Sequence, residues 1–451
     1  MDPGLGKTSS SLAAAKILIG AGQIKGILMV APLRVTYSVW PGEIKKWANF
    51  NGLTCTILHE DNKHTIWDKY DIYLINPEGL LWLHQELLRG LKAGKKSPFN
   101  TLWIDESTKF KSPDSDRFKY IVDMLPLFTR RYIMTGTPVP KGLLDIWSQI
   151  YILDEGESLG KNYYHFRNKY FETTDWNKYD WQLKDFSEDF IKEAVSHLVL
   201  EMSAADHLDI PELLYNDIEI HLPEKAMKYY KKMEQEFFIS IDDLQASADA
   251  QAQVSQKCHQ IANGKVYEDI PPDLTEEEEK LFRKTRKVIP VHKAKLEAIL
   301  DLIGELNGKP LLVAYHFKHD LEALRSVLGK DVPYIGSGVS AKRAKELEAK
   351  WNAGKIPVLL GHPDSMGHGL NFQESGNDVC WYSLTWNLEN YIQFIARVWR
   401  QGVKGSYVRV HHLIAKNTVD EAMLSRLGER AEQQKDLRQA IKEYRKSLRF
   451  I

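Results

Sequence analysis

The sequence predicts an α/β protein of two lobes, each built on a mostly parallel sheet and joined through a helical middle. Three observations predict it. Short apolar runs, each followed by a polar or Gly/Pro turn, alternate with helical patterns over residues 1–150, and the same alternation resumes near residue 291. The runs ILMVAP (27–32), LLVAY (311–315) and PVLLG (357–361) are continuously apolar, as strands buried on both faces are. The 451 residues also exceed what one core usually organises, about 150 residues per domain.

The elements follow in order. SSLAAAKILIGAG (9–22) is an Ala/Leu-rich helix ending in glycine, and GILMVAP (26–32) is a buried strand. YSVWPGEIKKWANF (37–50) reads as a turn at the Pro-Gly pair followed by a helix. DIYLINPEG (71–79), TLWIDES (101–107) and RYIMTGTP (131–138) each give a strand and its turn. Residues 151–239 form a helical insertion, rich in Tyr, Phe and Trp, with the last strand (213–223) and helix of the first lobe. Residues 240–290 are expected to be an exposed helix and interlobe linker, in which Glu276 to Glu279 start a solvated helix. The second lobe spans 291–425. Residues 426–451 are expected to form an amphipathic brace helix with Leu437, Ile441, Tyr444 and Leu448 on one side.

Composition narrows the function class. Lys and Arg number 60 against 61 Asp and Glu, a net charge of −1, so no domain is coated in positive charge. A passive nucleic-acid coat is improbable on that figure, whereas a local basic groove is not excluded. The three cysteines, Cys55, Cys258 and Cys380, share no CxxC spacing, which favours a reducing compartment over a disulfide framework or a cysteine zinc site. The apolar runs fall well short of the roughly 18 residues of a membrane helix, and no signal-peptide pattern opens the chain.

Three groups of residues carry chemistry. Gly4-Leu5-Gly6-Lys7-Thr8 is the glycine-rich end of a phosphate-binding loop, although the first glycine of the full GxxxxGK[ST] form falls on Met1. Its backbone N–H groups would wrap phosphate, Lys7 would reach the β- and γ-phosphates, and Thr8 would ligate Mg²⁺. Asp105-Glu106, at the end of a predicted strand, would hold Mg²⁺ through Asp105 and orient or deprotonate the attacking water through Glu106. Arg397 and Arg400, three apart on one helix in QFIARVWRQG, offer fixed guanidinium forks for a transferring phosphoryl group.

Taken together, these residues resemble the superfamily 2 helicases, and within them the Swi/Snf-like double-stranded DNA translocases, over nearly the whole chain. GLGKT resembles motif I, Ala31-Pro32 motif Ia, Asp105-Glu106-Ser107-Thr108 motif II and Thr135-Gly136-Thr137-Pro138 motif III, with GLLDIWSQIYIL continuing it. LDIP (208–211), the run Gln260 to Gly264, and Lys295-Leu296 lie at family-like places. LLVAYHF resembles motif IV, Gly367 to Phe372 motif V, and Trp386-Asn387 with the QFIARVWRQG helix motif VI. KNTVDE (416–421) resembles the closing signature. The resemblance implies two RecA-like lobes that bind ATP with Mg²⁺ in their cleft. Arg397 and Arg400 become arginine fingers, Gly369 a backbone contact near the γ-phosphate and Gln393 a sensor of it. Thr135 and Thr137 couple nucleotide state to the duplex.

Several positions depart from the family pattern. Pro3 precedes the loop, Ser107-Thr108 replace Ala-His, Val139-Pro140-Lys141 lacks the usual asparagine and His368 stands where Glu is common. With the loop opening at Met1, the adenine-reading region and the strand that feeds the loop are expected to be lost, or the chain to be a trimmed one, and the family's large insertions are short. The pattern is that of a minimal bacteriophage or bacterial member. Candidates for the DNA track are Arg34, Lys109, Lys111, Lys318 and Arg343, with Lys45, Lys46, Lys342 and Lys345 beside them. The expected protein is a monomeric ATPase of the cytoplasm (the host's, if phage-encoded). It acts on duplex DNA, branched forms included, and has no membrane partner. Two alternatives stay open: a strand-separating DNA or RNA helicase, and a helicase-fold scaffold without turnover.

Overall fold

The computed structural model describes residues 5–136, 138–139, 142–173, 181–185, 187–200, 202, 210–242, 248–271, 274–366, 369–429 and 431. The chain divides into two compact units, with boundaries at 209/210 and 429/430.

In the first unit the strands β1 (Ile27–Val30), β2 (Cys55–Ile57), β3 (Ile72–Ile75), β4 (Thr101–Asp105) and β5 (Arg130–Met134) form one sheet in the order β2-β3-β1-β4-β5. Every pairing is parallel. Successive side chains of a strand point to opposite faces, so the apolar runs feed two cores. Leu28, Val30, Ile75, Leu102 and Ile104 pack with Leu83, Ile121 and Ile150 from helices Leu80–Lys92, Asp116–Met124 and Ile146–Asp154. Ile27, Met29, Leu74 and Trp103 pack with Leu12 and Trp40 from helices Lys7–Gly20 and Leu33–Lys46.

One expectation fails here. Pro41-Gly42 does not make a turn, because helix Leu33–Lys46 runs through the proline. Burial of Val35, Trp40 and Ile44 in one core outweighs the hydrogen bond the proline cannot donate. Part of the aromatic insertion packs: Phe166 and Phe171 are buried with Ile191 and Val195, beside an antiparallel pair of β6 (Phe171–Thr173) and β7 (Trp181–Leu183), whereas Tyr164 is exposed.

The second unit holds β8 (Glu212–Ile220), an antiparallel pair of β9 (Lys265–Tyr267) and β10 (Val288–Pro290), then β11 (Leu311–Ala314), β12 (Tyr334–Ile335), β13 (Val358–Gly361), β14 (Asp378–Trp381) and β15 (Tyr407–Ala415). Its main sheet runs β12-β13-β11-β14-β15-β8 and is parallel throughout. Leu312, Ala314, Val379 and Trp381 face one core, and Leu311, Val313, Cys380 and Tyr382 the other.

Two domain assignments are corrected. The strand expected to finish the first lobe is β8, the edge of the second sheet, in register with β15 from Glu212↔Tyr407 to Ile220↔Ala415. Side chains reinforce that register: Asn216 meets His411 Nδ1 at 2.9 Å, and His412 Nδ1 meets Asp217 Oδ1 at 2.6 Å. Nor are residues 240–290 a linker. Helix Ala248–Ala262 buries Cys258 and Ile261 against Tyr230 and Val266 within the second unit. Helix Glu276–Thr285 is solvated as expected, with Thr275 and Glu278 forming a capping box and no residue of the helix buried. The tail beyond residue 431 lies outside the described residues, whereas the helix at 419–429 buries Met423 and Leu427 in the second core. The three cysteines are free. Among the described residues no helix is long and apolar enough to cross a membrane.

Buried histidines make the second unit sensitive to acid. Burial lowers the pKa of His259, His316 and His412 below the ordinary value of 6.5. They stay neutral in the fold but take up protons once unfolded, so below about pH 6.5 the unfolded chain binds more protons and stability falls with pH. We expect roughly 1 kcal/mol lost per such histidine for each pH unit below that value. Hydrogen exchange of the β11 and β14 amides at pH 7.5 and 5.5 checks this, and equal protection would contradict it.

Candidate active site

Asp105 ends β4, Glu106 follows it, Thr135 follows β5, and Lys7 acts on Asp105 through its charge, so these residues meet at the carboxyl ends of neighbouring strands, where open parallel sheets bind ligands. Gly6 sits at φ 72° as the residue before helix Lys7–Gly20, a left-handed conformation suited to glycine. A Cβ there would lie 2.9 Å from Ser9 Oγ. No side chain caps that helix and no acidic residue occupies its first turn, so its positive end presents backbone N–H donors suited to an anion. Lys7 and Thr8 open the helix. Gly4 lies outside the described residues.

Strand β4 ends at Asp105, and the chain then turns sharply. Glu106 adopts φ 64°, ψ 65°, which is unfavourable for a residue with a side chain. The strain is held by two anchors: Glu106 is buried, and Thr135 Oγ1 donates to its Oε1 at 2.9 Å. Trp40 Nε1 donates to Asp105 Oδ2 at 3.2 Å. Burial first, and then the neighbouring Glu106 carboxylate, raise the Asp105 pKa to about 6, against the opposing pull of Lys7 and the Trp40 bond. Two crowded, dehydrated carboxylates beside a lysine are a setting that a cation would relieve. No cluster of three His, Cys, Asp or Glu exists among the described residues to cage a metal. Mg²⁺ keeps several waters and takes one or two carboxylates with substrate phosphates. Asp105 and Thr8 are the residues that would hold it.

Motifs II and III are also joined through a residue the sequence reading passed over. Ser107 Oγ donates to Gln149 Oε1 at 2.6 Å, and Gln149 Nε2 donates to the carbonyls of Pro138 (2.7 Å) and Asp145 (2.9 Å). Thr137 lies outside the described residues.

In the second unit Arg397 stands just beyond helix Leu388–Ile395, donating from Nε to the Gln393 carbonyl and from Nη1 to the Leu370 carbonyl, both at 3.0 Å. Arg400 Nη1 donates to Asn371 Oδ1, and burial lowers the pKa of its guanidinium, opposed by Glu348. Gln393 is buried and donates to Glu389 Oε1 at 3.2 Å. Gly369, at φ 76°, accepts from Lys345 Nζ at 3.0 Å. Glu348 links this loop to helix Ala341–Asn352, accepting from Asn371 N at 2.6 Å and from Lys345 Nζ at 2.7 Å. Lys345, a track candidate by sequence, is thus engaged with the loop. Arg397 and Arg400 thus lie beyond the helix rather than together on it as expected, because the helix stops at Ile395; Asn387 caps its start, the side chain accepting from Glu389 N and Asn390 N.

The basic candidates differ in setting. Lys109 is exposed and Arg34 half-buried. Lys111 lies 3.9 Å from Asp145, while Lys318 faces Glu322 at 3.7 Å and Arg343 faces Glu346 at 3.0 Å. The last two are exposed pairs worth little in water, so these side chains can re-aim toward phosphates at small cost.

Trp40, Gln149 and Glu348 are the contributors that sequence reasoning missed. A lone polar residue inside the apolar run IWSQIYIL was a usable signal for Gln149. Trp40 and Glu348 carried none.

Comparison with known proteins follows from this geometry. Residues 1–268 match the model of the SNF2-related domain, and residues 294–402 that of the helicase conserved C-terminal domain. The chain is 34% identical to protein p41 of Acyrthosiphon pisum secondary endosymbiont phage 1, over 97% of this chain and 93% of p41. It is 22% identical to the Homo sapiens chromodomain-helicase-DNA-binding protein 1, over 94% of this chain but 24% of that protein. With the Mus musculus DNA annealing helicase and endonuclease ZRANB3 the identity is 24%, over 95% of this chain and 38% of that protein. Against these two the chain spans well under half of the relative's length. Of solved structures, the Sulfolobus solfataricus SWI2/SNF2 ATPase core in complex with dsDNA matches at 23% identity and a TM-score of 0.40, over 97% of this chain and 87% of that one. That score is too low to place any residue by superposition.

Proposed function

The chain belongs to the SNF2-related family, enzymes of the nucleic-acid-stimulated ATP hydrolase class, and from that premise we propose that it hydrolyses Mg-ATP to translocate on double-stranded DNA. The observation that carries this reading is the strained Glu106 at the end of β4, buried, bonded to Thr135 and adjacent to Asp105.

Each residue has a role in that reading. Gly4, Gly6 and the first turn of helix Lys7–Gly20 bind phosphate oxygens through backbone N–H groups, and Lys7 neutralises their charge. Thr8 and Asp105 hold Mg²⁺, which when bound neutralises charge on the β- and γ-phosphates. Glu106 accepts a proton from the attacking water or orients it, and its bond from Thr135 fixes which carboxylate oxygen faces the water. Arg397 and Arg400 supply positive charge to the transferring phosphoryl group, and Gln393 with Gly369 senses the γ-phosphate. Their bonds to carbonyls and amides of the motif V loop hold both arginines ready in the second unit. Thr135 and Thr137 pass nucleotide state to the DNA contacts, for which Arg34, Lys109 and Lys111 of the first unit and Lys318 and Arg343 of the second are the candidates. Contacts of that kind track a duplex without reading its sequence. Branched DNA is a substrate form consistent with such tracking.

Steady-state ATPase assays with no nucleic acid, single-stranded DNA, duplex DNA, branched DNA and RNA in parallel test the reading. We expect duplex DNA to raise turnover by about tenfold or more, which is 1.4 kcal/mol of barrier. Turnover indifferent to duplex DNA would contradict it, and stimulation confined to single strands or RNA would favour the strand-separating alternative.

A further inference from the structure

The loop that carries Glu106 is tied to the following strand's turn by two routes, and only one of them uses a residue of the catalytic motifs alone. Thr135 reaches Glu106 directly. The second route runs through Gln149 on helix Ile146–Asp154, which touches neither carboxylate. Gln149 is almost fully buried and uses both amide hydrogens, on the Pro138 and Asp145 carbonyls, while its oxygen takes the Ser107 hydroxyl. Two carbonyl partners at one end fix the orientation of the amide, since only the NH₂ can donate to them. Ser107 is fully buried, so its hydroxyl needs this partner. The preceding residue of the same helix adds a second tie: Ser148 Oγ donates to the Lys111 carbonyl at 3.0 Å. Residues 107–111 and the turn at 138 are therefore held on one rigid helix.

We propose that Gln149 is a positioning residue that clamps the Glu106 loop to the Pro138 turn, so that movement of that turn on DNA engagement resets Glu106. The proposal rests on the ATPase reading above. It makes Ser107 and Gln149 a matched pair: the hydroxyl is useful only with the amide present.

The test is Gln149→Leu, Ser107→Ala and the double variant, each with turnover measured in the absence and presence of saturating duplex DNA. Leucine is close to glutamine in volume and leaves the helix its packing. We expect Gln149→Leu to lower the ratio of DNA-stimulated to basal turnover by about tenfold, the scale of one or two hydrogen bonds, with KM for ATP within about twofold of the wild type. Ser107→Ala should lower the same ratio by a smaller factor, and should add little in the Gln149→Leu background, because both act through one bond. A wild-type ratio in folded Gln149→Leu would overturn the proposal. Should that variant fail to fold, Ser107→Ala decides alone, and a wild-type ratio there overturns it equally. Failure of the ATPase reading looks different: the unmodified protein would then show no DNA-stimulated turnover at all.

Discussion

Glu106→Gln is expected to lower DNA-stimulated ATP turnover by about 10²–10⁴-fold, the range for loss of a positioned general base. The amide keeps the side chain's size and can still accept the Thr135 hydroxyl through its oxygen, so the loop geometry persists. What is lost is the ability to take a proton. Nucleotide affinity should stay within a few-fold, since phosphate and metal are assigned to Lys7, Thr8 and Asp105. Turnover and equilibrium binding of a fluorescent ATP analogue, measured on the same preparation, separate the two effects. Undiminished turnover would mean that the site at the end of β4 does not carry hydrolysis, and a scaffold reading would then gain ground. The left-handed backbone at Glu106 adds a second expectation. Glu106→Gly should be inactive yet no less stable than the wild type, because glycine relieves the strained conformation.

Lys295→Met is expected to destabilise the second unit by about 3–5 kcal/mol, the cost of breaking a buried ion pair by removing one partner. Lys295 and Asp420 are both fully buried, 2.6 Å apart. The Lys295 ammonium also donates to Asn263 Oδ1 at 2.8 Å and to the Tyr382 carbonyl at 3.3 Å. Asn263 in turn donates to Ser383 Oγ and Asp320 Oδ2. With methionine in place of lysine, the Asp420 carboxylate keeps, among the described residues, the Ala415 N–H as its hydrogen-bond donor. Pairing the change with Asp420→Asn should return part of the loss, because the stranded charge is then gone. Denaturant unfolding of the wild type, the single variant and the double variant checks both statements. A single variant within 1 kcal/mol of wild type would contradict the first.

That network also shows what the sequence could and could not disclose. Three runs stood out along the chain, at Gln260 to Gly264, at Lys295-Leu296 and at residues 416–421, each as an isolated pattern. Nothing in their spacing revealed that Asn263, Lys295 and Asp420 meet in one buried cluster. The parallel sheets were legible because strands buried on both faces must be continuously apolar, as β1 and β11 are. The place of β8 was not. Its residues alternate like any half-exposed strand, and the partner that claims it lies 195 residues further on, at His411 and His412. Helix Ala248–Ala262 misled for a related reason, since its Gln/Ala composition suits an exposed helix while Cys258 and Ile261 find their core through folding.

The candidate site divides along the same line. Lys7, Asp105 and Glu106 were legible because their chemistry needs those residue types at strand and helix ends. The supports were less so: Trp40 bonds Asp105 from a helix whose sequence suggested only packing, and Gln149 reads as one polar residue in an apolar stretch. Hydrogen-bond partners chosen by tertiary folding leave no periodic mark.

Triplex displacement tests travel along duplex DNA. A third strand annealed to duplex DNA is released only by a motor that travels along the duplex, and release can be followed without strand separation. We expect ATP-dependent displacement by the wild type, none by Glu106→Gln, and no unwinding of a forked duplex under the same conditions. Duplex-stimulated ATP hydrolysis without any displacement, or forked-duplex unwinding in its place, would contradict it.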